Sequence, residues 1–65
     1  MKDLGKTIAK YRKEHKLHQR QLAKELENYD IYVKQNSISA WELGTATPNT
    51  SQFLALYEIL EIYEI

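Results

Sequence analysis

Apolar residues recur along this chain at helical spacing, and residues that stop helices separate the stripes. Leu4, Ile8 and Tyr11 lie three or four apart with Lys6, Lys10 and Lys13 turned away from them, which predicts a first helix over about 3–15 capped by Asp3. Leu22, Ala23 and Leu26 form a second stripe, with Gln19, Arg20 and Lys24 off it, and predict a helix over about 18–28. His18 stands at its cap, a weaker choice there than Ser or Thr. Asn28 and Asp30 favour a turn, while Ile31, Tyr32 and Val33 suit extended backbone or packing onto a core. Ile38 and Trp41 share one face of a third helix over about 35–43, which Gly44 is placed to end in a left-handed cap. Thr45–Pro48 reads as a loop, and Asn49 opens a fourth helix over about 49–62, whose inward stripe is Phe53, Leu56, Tyr57 and Leu60.

These stripes predict an all-α domain with a core of Leu4, Ile8, Leu17, Leu22, Ala23, Leu26, Val33, Ile38, Trp41, Phe53, Leu56 and Leu60. A length of 65 residues admits one such core. No cysteine is present, so close helix packing, a partner subunit or further chain must supply what a disulfide would. The last residues, Ile59 to Ile65, are too apolar for a free tail; burial against a partner together with continuation of the chain past Ile65 is expected.

The formal net charge of +0 hides a division. Residues 1–24 carry eight Lys and Arg against two acids, a net of +6, and residues 25–65 carry one against seven, a net of −6. Such asymmetry can present a basic face to phosphates, or simply solvate mixed helices. The start has no apolar signal-peptide core and no apolar run approaches membrane-spanning length, so a soluble, cytoplasmic protein without membrane contact is expected. An enzyme is not: Glu14, Glu25 and Glu42 have no His or Ser companions arranged for acid–base or nucleophilic work. His15 and His18 are three apart but lack Cys or suitably arranged carboxylate companions, so neither a metal nor a cofactor is expected.

The order of residues resembles the repressor-type helix-turn-helix family of phage λ and its relatives, also called the xenobiotic-response-element type. The matching pieces are Leu4-Gly5-x-x-Ile8-x-x-x-Arg12, then Leu17-x-Gln19-x-x-Leu22-Ala23-x-x-Leu26. Val33-x-x-x-x-Ile38-Ser39-x-Trp41-Glu42-x-Gly44 follows, then Pro48 and the stripe from Phe53 to Leu60. The resemblance implies a compact four- or five-helix λ repressor-like DNA-binding domain. It has two departures. Leu26 and Ile38 stand several residues further apart than in the family, so Asn28 to Tyr32 reads as an insertion that gives the helix-turn-helix an extended turn. His18 replaces the usual Thr or Asn before Gln19.

What the resemblance implies about function follows from the chemistry of a duplex. Phosphate contacts set register and most of the salt-dependent affinity, while side chains at base edges carry sequence information. The start of the second helix of the pair, here 35–43, enters the major groove. Gln35 and Asn36 stand at that end and can each make the two-point contact that suits adenine; Ser39 and Ala40, one turn on, offer a hydroxyl and a methyl to base edges. Gln19 at the start of the second helix is implied to bond a phosphate, with Arg20, Lys16 and Lys34 as neighbouring cations. Arg12 and Glu42 are implied to pair structurally, clamping the first helix to the third. Tyr29, Ile31 and Tyr32 either cover the edge of the core or touch DNA or a partner.

The expected function is therefore sequence-specific binding of double-stranded DNA as a prokaryotic or phage transcriptional regulator, a repressor, acting as a homodimer at least on DNA at a roughly palindromic operator. The alternative is a protein-interaction module on the same fold, such as the DNA- or partner-binding part of an antitoxin.

Overall fold

A computed structural model describes residues 3–63, and these form four α-helices. In chain order they are α1 (Leu4–Glu14), α2 (Gln19–Leu26), α3 (Gln35–Leu43) and α4 (Thr50–Leu60), with a 3₁₀ turn at Glu27–Tyr29 directly after α2. The described residues contain no strand.

The helix starts follow local chemistry. At α4, Asn49 Oδ1 accepts from the Gln52 N–H and Gln52 Oε1 accepts from the Asn49 N–H, both at 2.8 Å, a reciprocal capping box. At α2, Gln21 Oε1 accepts from the His18 N–H at 2.7 Å. The expectation of Asp3 as a side-chain cap fails: it occupies the position before α1, but its carboxylate makes no capping hydrogen bond, and only its carbonyl is used, by the Thr7 N–H.

The helix ends share one device that explains why two of them stop earlier than their apolar stripes suggest. Each is followed by one residue in the left-handed region: Lys16 (φ 57°), Asp30 (φ 60°), Gly44 (φ 82°) and Glu61 (φ 53°). The next residue then donates its N–H five positions back, Leu17 to Arg12, Ile31 to Leu26, Thr45 to Ala40 and Ile62 to Tyr57, at 3.0–3.1 Å. α2 thus ends at Leu26 and the 3₁₀ turn at Tyr29, not in one helix to Asn28, and α4 ends at Leu60, not at Ile62. Only Gly44 adopts this conformation without a Cβ penalty; for the other three it costs on the order of 1 kcal/mol each. Burial of the following side chain offsets that cost. Ile62 is 2% exposed, and Leu17 and Ile31 pack half-buried against the core.

The core is Ile8 from α1, Leu22, Ala23 and Leu26 from α2, Ile38 and Trp41 from α3, Ala55, Leu56 and Leu60 from α4, and Ile62 beyond it. Leu4, Leu17 and Val33 flank it half-buried, and Phe53 is half-buried against Tyr57, ring centroids 4.6 Å apart, so these four are not core centres. The expectation that the carboxyl end needs a partner to cover it is corrected as far as Ile62: Ile59, Leu60 and Ile62 pack on the chain's own core, Tyr63 is exposed, and Glu64 and Ile65 lie outside the described residues.

α1 crosses the back of α3 at Gly5. A Cβ built there would stand 2.5 Å from the Trp41 carbonyl oxygen and 2.6 Å from that of Glu42. Only glycine permits this approach, and it sets the height at which α3 is held against the rest of the molecule.

Candidate nucleic-acid interface

α3 divides its residues cleanly between two jobs. Ile38 and Trp41 face the core, whereas Gln35, Asn36, Ser39, Ala40 and Leu43 look the other way into an open hollow that also includes Gln19 and Thr45. The four residues expected to read bases are therefore brought together on one surface. The sequence reading omitted Leu43 and Thr45. The signal for Leu43 was present in its spacing, three after Ala40 and four after Ser39, and it is 76% exposed. Thr45 Oγ1 donates to the Ala40 carbonyl at 3.3 Å across the α3 cap, a placement that only the Gly44 turn reveals.

Behind this surface a polar relay joins three helices. Arg12 on α1 meets Glu42 on α3 at two points, Nε to Oε2 at 2.6 Å and Nη2 to Oε1 at 3.0 Å, with side chains only 11% and 9% exposed. The third guanidinium nitrogen, Nη1, donates to the Leu17 carbonyl at 2.8 Å and so holds the turn that leads into α2. Glu42 Oε1 also accepts from Gln19 Nε2 at 3.0 Å. Gln19 Oε1 in turn accepts from Gln35 Nε2 at a long 3.5 Å. The planar fork of arginine suits this two-point grip, which a lysine would not reproduce. Among the described residues no buried side-chain nitrogen or oxygen lacks a partner.

The relay gives Gln19 two tasks at once. One amide hydrogen is committed to Glu42 and the carbonyl to Gln35, which leaves the second amide hydrogen for an outside acceptor. Beside it, His18, Arg20, Gln35 and Arg12 line a second hollow at the start of α2. Arg20, Lys24 and Lys34 border a third, which reaches Gln35 and Asn36 from the far side. Arg20 and Lys34 thus flank the exposed start of α3, with Lys34 as the residue immediately before that helix. Lys16 sits exposed in the left-handed turn between α1 and α2 and lines none of these three hollows.

The inserted turn splits its residues. Ile31 packs on the core, while Tyr29 and Tyr32 are 43% and 73% exposed. His15 and His18 serve different places: His15 Nδ1 lies 2.9 Å from the Tyr11 carbonyl oxygen and its Nε2 faces Glu61 at 3.6 Å, whereas His18 borders the hollow at α2. No group of three potential metal ligands occurs among the described residues, and no helix among them is long and apolar enough to cross a membrane.

A family model described as a helix-turn-helix domain matches residues 5–64, from the first turn of α1 past the end of α4. That match agrees with the λ repressor-like resemblance read from the sequence. No curated protein and no solved structure gives a significant match.

Proposed function

The chain belongs to the helix-turn-helix domain family, and from that premise we propose that it is a transcriptional regulator, a repressor, that reads double-stranded DNA with α3 in the major groove. The observation that carries this reading is the division of α3. Its polar residues Gln35, Asn36 and Ser39 share one open face with Ala40, and that face carries hydrogen-bonding amides and a hydroxyl where a merely solvated helix face usually carries charges. Gln35 and Asn36 stand at the helix start, where side chains reach furthest into a groove, and carry the donor–acceptor pair that matches adenine N7 and N6. Gln19, Arg20 and Lys34 surround that start and are assigned to phosphates, with Lys16 as a more distant contact. The amides at the start of α2 add a favourable dipole for an anion beside Gln19.

The Arg12–Glu42 pair is assigned to structure. Its atoms are enclosed between α1 and α3, and it positions Gln19, which positions Gln35. A single reading helix covers few base pairs, so useful specificity calls for a homodimer on two half-sites of a roughly palindromic operator, about one helical turn apart. Such a protein works in the cytoplasm, where its operator is.

One observation favours a second reading, a protein-interaction module on the same fold, as in an antitoxin. Tyr29 and Leu54, 43% and 59% exposed, border with Ile31 and Ala55 a groove rimmed by Asp30, Ser51 and Glu58 that includes no residue of α3. Selection of bound duplexes from a random pool decides between the two. Recovery of a two-fold-symmetric site supports the regulator; failure to retain any duplex at low salt leaves the interaction module.

A further inference from the structure

We infer that Leu43 is a specificity-determining residue that packs on the methyl group of a thymine in the major groove, about two base pairs beyond the position addressed by Asn36. This rests on the DNA-reading role of α3 and adds a contact at the opposite end of that helix.

The placement follows from helix geometry. At about 100° per residue from Gln35, Ser39 stands at about 40°, Asn36 at about 100° and Ala40 at about 140°, and Leu43 falls at about 80°, in the middle of them. The buried pair, Trp41 and Ile38, stands at about 240° and 300°, diametrically opposite Leu43. Leu43 is therefore not at the edge of the reading face but on its midline. It is also 76% exposed and lines the same hollow as Gln35, Asn36, Ser39 and Ala40. A lone exposed leucine is ordinary on a protein surface. One centred on a face otherwise made of Gln, Asn, Ser and Ala has a specific candidate partner.

The chemistry of the groove supplies that partner. Leucine has no donor or acceptor, so it cannot serve the polar base edges, and the one apolar group displayed in the major groove is the thymine C5-methyl. Leu43 also cannot contact a phosphate usefully, and the loop after it, Thr45-Ala46-Thr47-Pro48, carries no cation to hold the strand there. The rise from Asn36 to Leu43 is about 10 Å along the helix axis. The groove winds around the duplex, so its path per base pair exceeds the axial rise of about 3.4 Å, and such a length of helix spans about three successive base pairs, an offset of about two. The contact requires α3 to lie along the groove floor, not to enter it end-on.

The test uses the duplex recovered from a random pool, with each thymine replaced singly by uracil, which removes the methyl and leaves the hydrogen-bonding edge intact. Affinities are read by fluorescence anisotropy for the unmodified protein, Leu43→Ala and Leu43→Met. For the unmodified protein, one replacement about two base pairs from the Asn36 position is expected to weaken binding about four-fold, the factor for one buried methyl. Leu43→Ala is expected to bind the thymine duplex more weakly and to lose the thymine-over-uracil preference at that position alone, while Leu43→Met keeps it. The inference is overturned if no thymine occurs at that offset, if its replacement changes affinity less than two-fold, or if Leu43→Ala keeps the same preference. Recovery of no duplex at all overturns the DNA-binding reading together with this one, and is distinguishable from the other failures because there binding itself persists.

Discussion

The carboxylate of Glu42 is held by Arg12 at 2.6 and 3.0 Å and, on the same Oε1, by Gln19 at 3.0 Å, so one acidic side chain on α3 fixes α1 and α2 together. Both charges are nearly enclosed, and removing either partner leaves the other with only a neutral group, the Gln19 amide on Glu42 or the Leu17 carbonyl on Arg12, and no opposite charge. Arg12→Ala or Glu42→Ala is expected to cost about 3 kcal/mol in urea unfolding, the low end for a buried pair because a little water still reaches these atoms. Stability for 65 residues amounts to roughly 3–10 kcal/mol in all, so either variant is expected to lose a large share of it and to unfold at a clearly lower urea concentration. The double variant Arg12→Met with Glu42→Leu should recover part of the loss. Equal or greater destabilisation in the double variant would show that the penalty is not that of an orphaned charge.

Gly5 is expected to tolerate no side chain. Alanine ordinarily gains about 1 kcal/mol over glycine inside a helix. Here its Cβ would lie 2.5 Å from one backbone carbonyl oxygen and 2.6 Å from the next, and backbone cannot yield as a flexible side chain does. Gly5→Ala should therefore destabilise by about 1–3 kcal/mol despite the helical gain. A rise in melting temperature would mean that α1 does not sit this close to α3.

Lys16 carries a left-handed backbone that glycine adopts without strain. Lys16→Gly should raise stability by about 0.5–1 kcal/mol, the relieved strain less the entropy added to the unfolded chain. Its assignment to a phosphate predicts the opposite sign for binding: a modest, sequence-independent loss of affinity and a salt slope smaller by about 0.9. A variant that is more stable and binds unchanged would remove Lys16 from the phosphate contacts and leave the turn argument intact.

Arg20 and Lys34 border the start of α3 from the side of α2 and the inserted turn. Arg20→Ala and Lys34→Ala should each weaken specific and random duplexes by the same factor and reduce the slope of log affinity against log salt by about 0.9. A loss confined to the specific site would reassign the residue to base reading.

How far the sequence carried these conclusions differs from one feature to another. The α4 start was legible because Asn49 and Gln52 are residues whose side chains form a capping box, and the core face of α3 was legible from the spacing of Ile38 and Trp41. The helix ends were not. Gly44 announces a left-handed cap by its composition, but Lys16, Asp30 and Glu61 do the same work with a Cβ, held there by the apolar residue that follows. That arrangement made Ile62 look like uncovered tail when it is core. Arg12 and Glu42, thirty residues apart, were joined by resemblance alone, since nothing in local pattern brings them together. Gln19 was assigned a single outside contact because its inward bonds to Glu42 and Gln35 exist only once α1, α2 and α3 are packed.

Whether α3 reads sequence through its start is decided by Gln35→Ala in a mobility-shift titration against the selected duplex and against random duplex at one salt concentration. Gln35 is exposed and lies outside the core, so the fold should be retained. A loss of about 1–3 kcal/mol is expected on the selected site, roughly 5- to 150-fold, with little change on random DNA. Equal losses on both duplexes would contradict it, and would make Gln35 a contributor to general affinity with no share in reading the sequence.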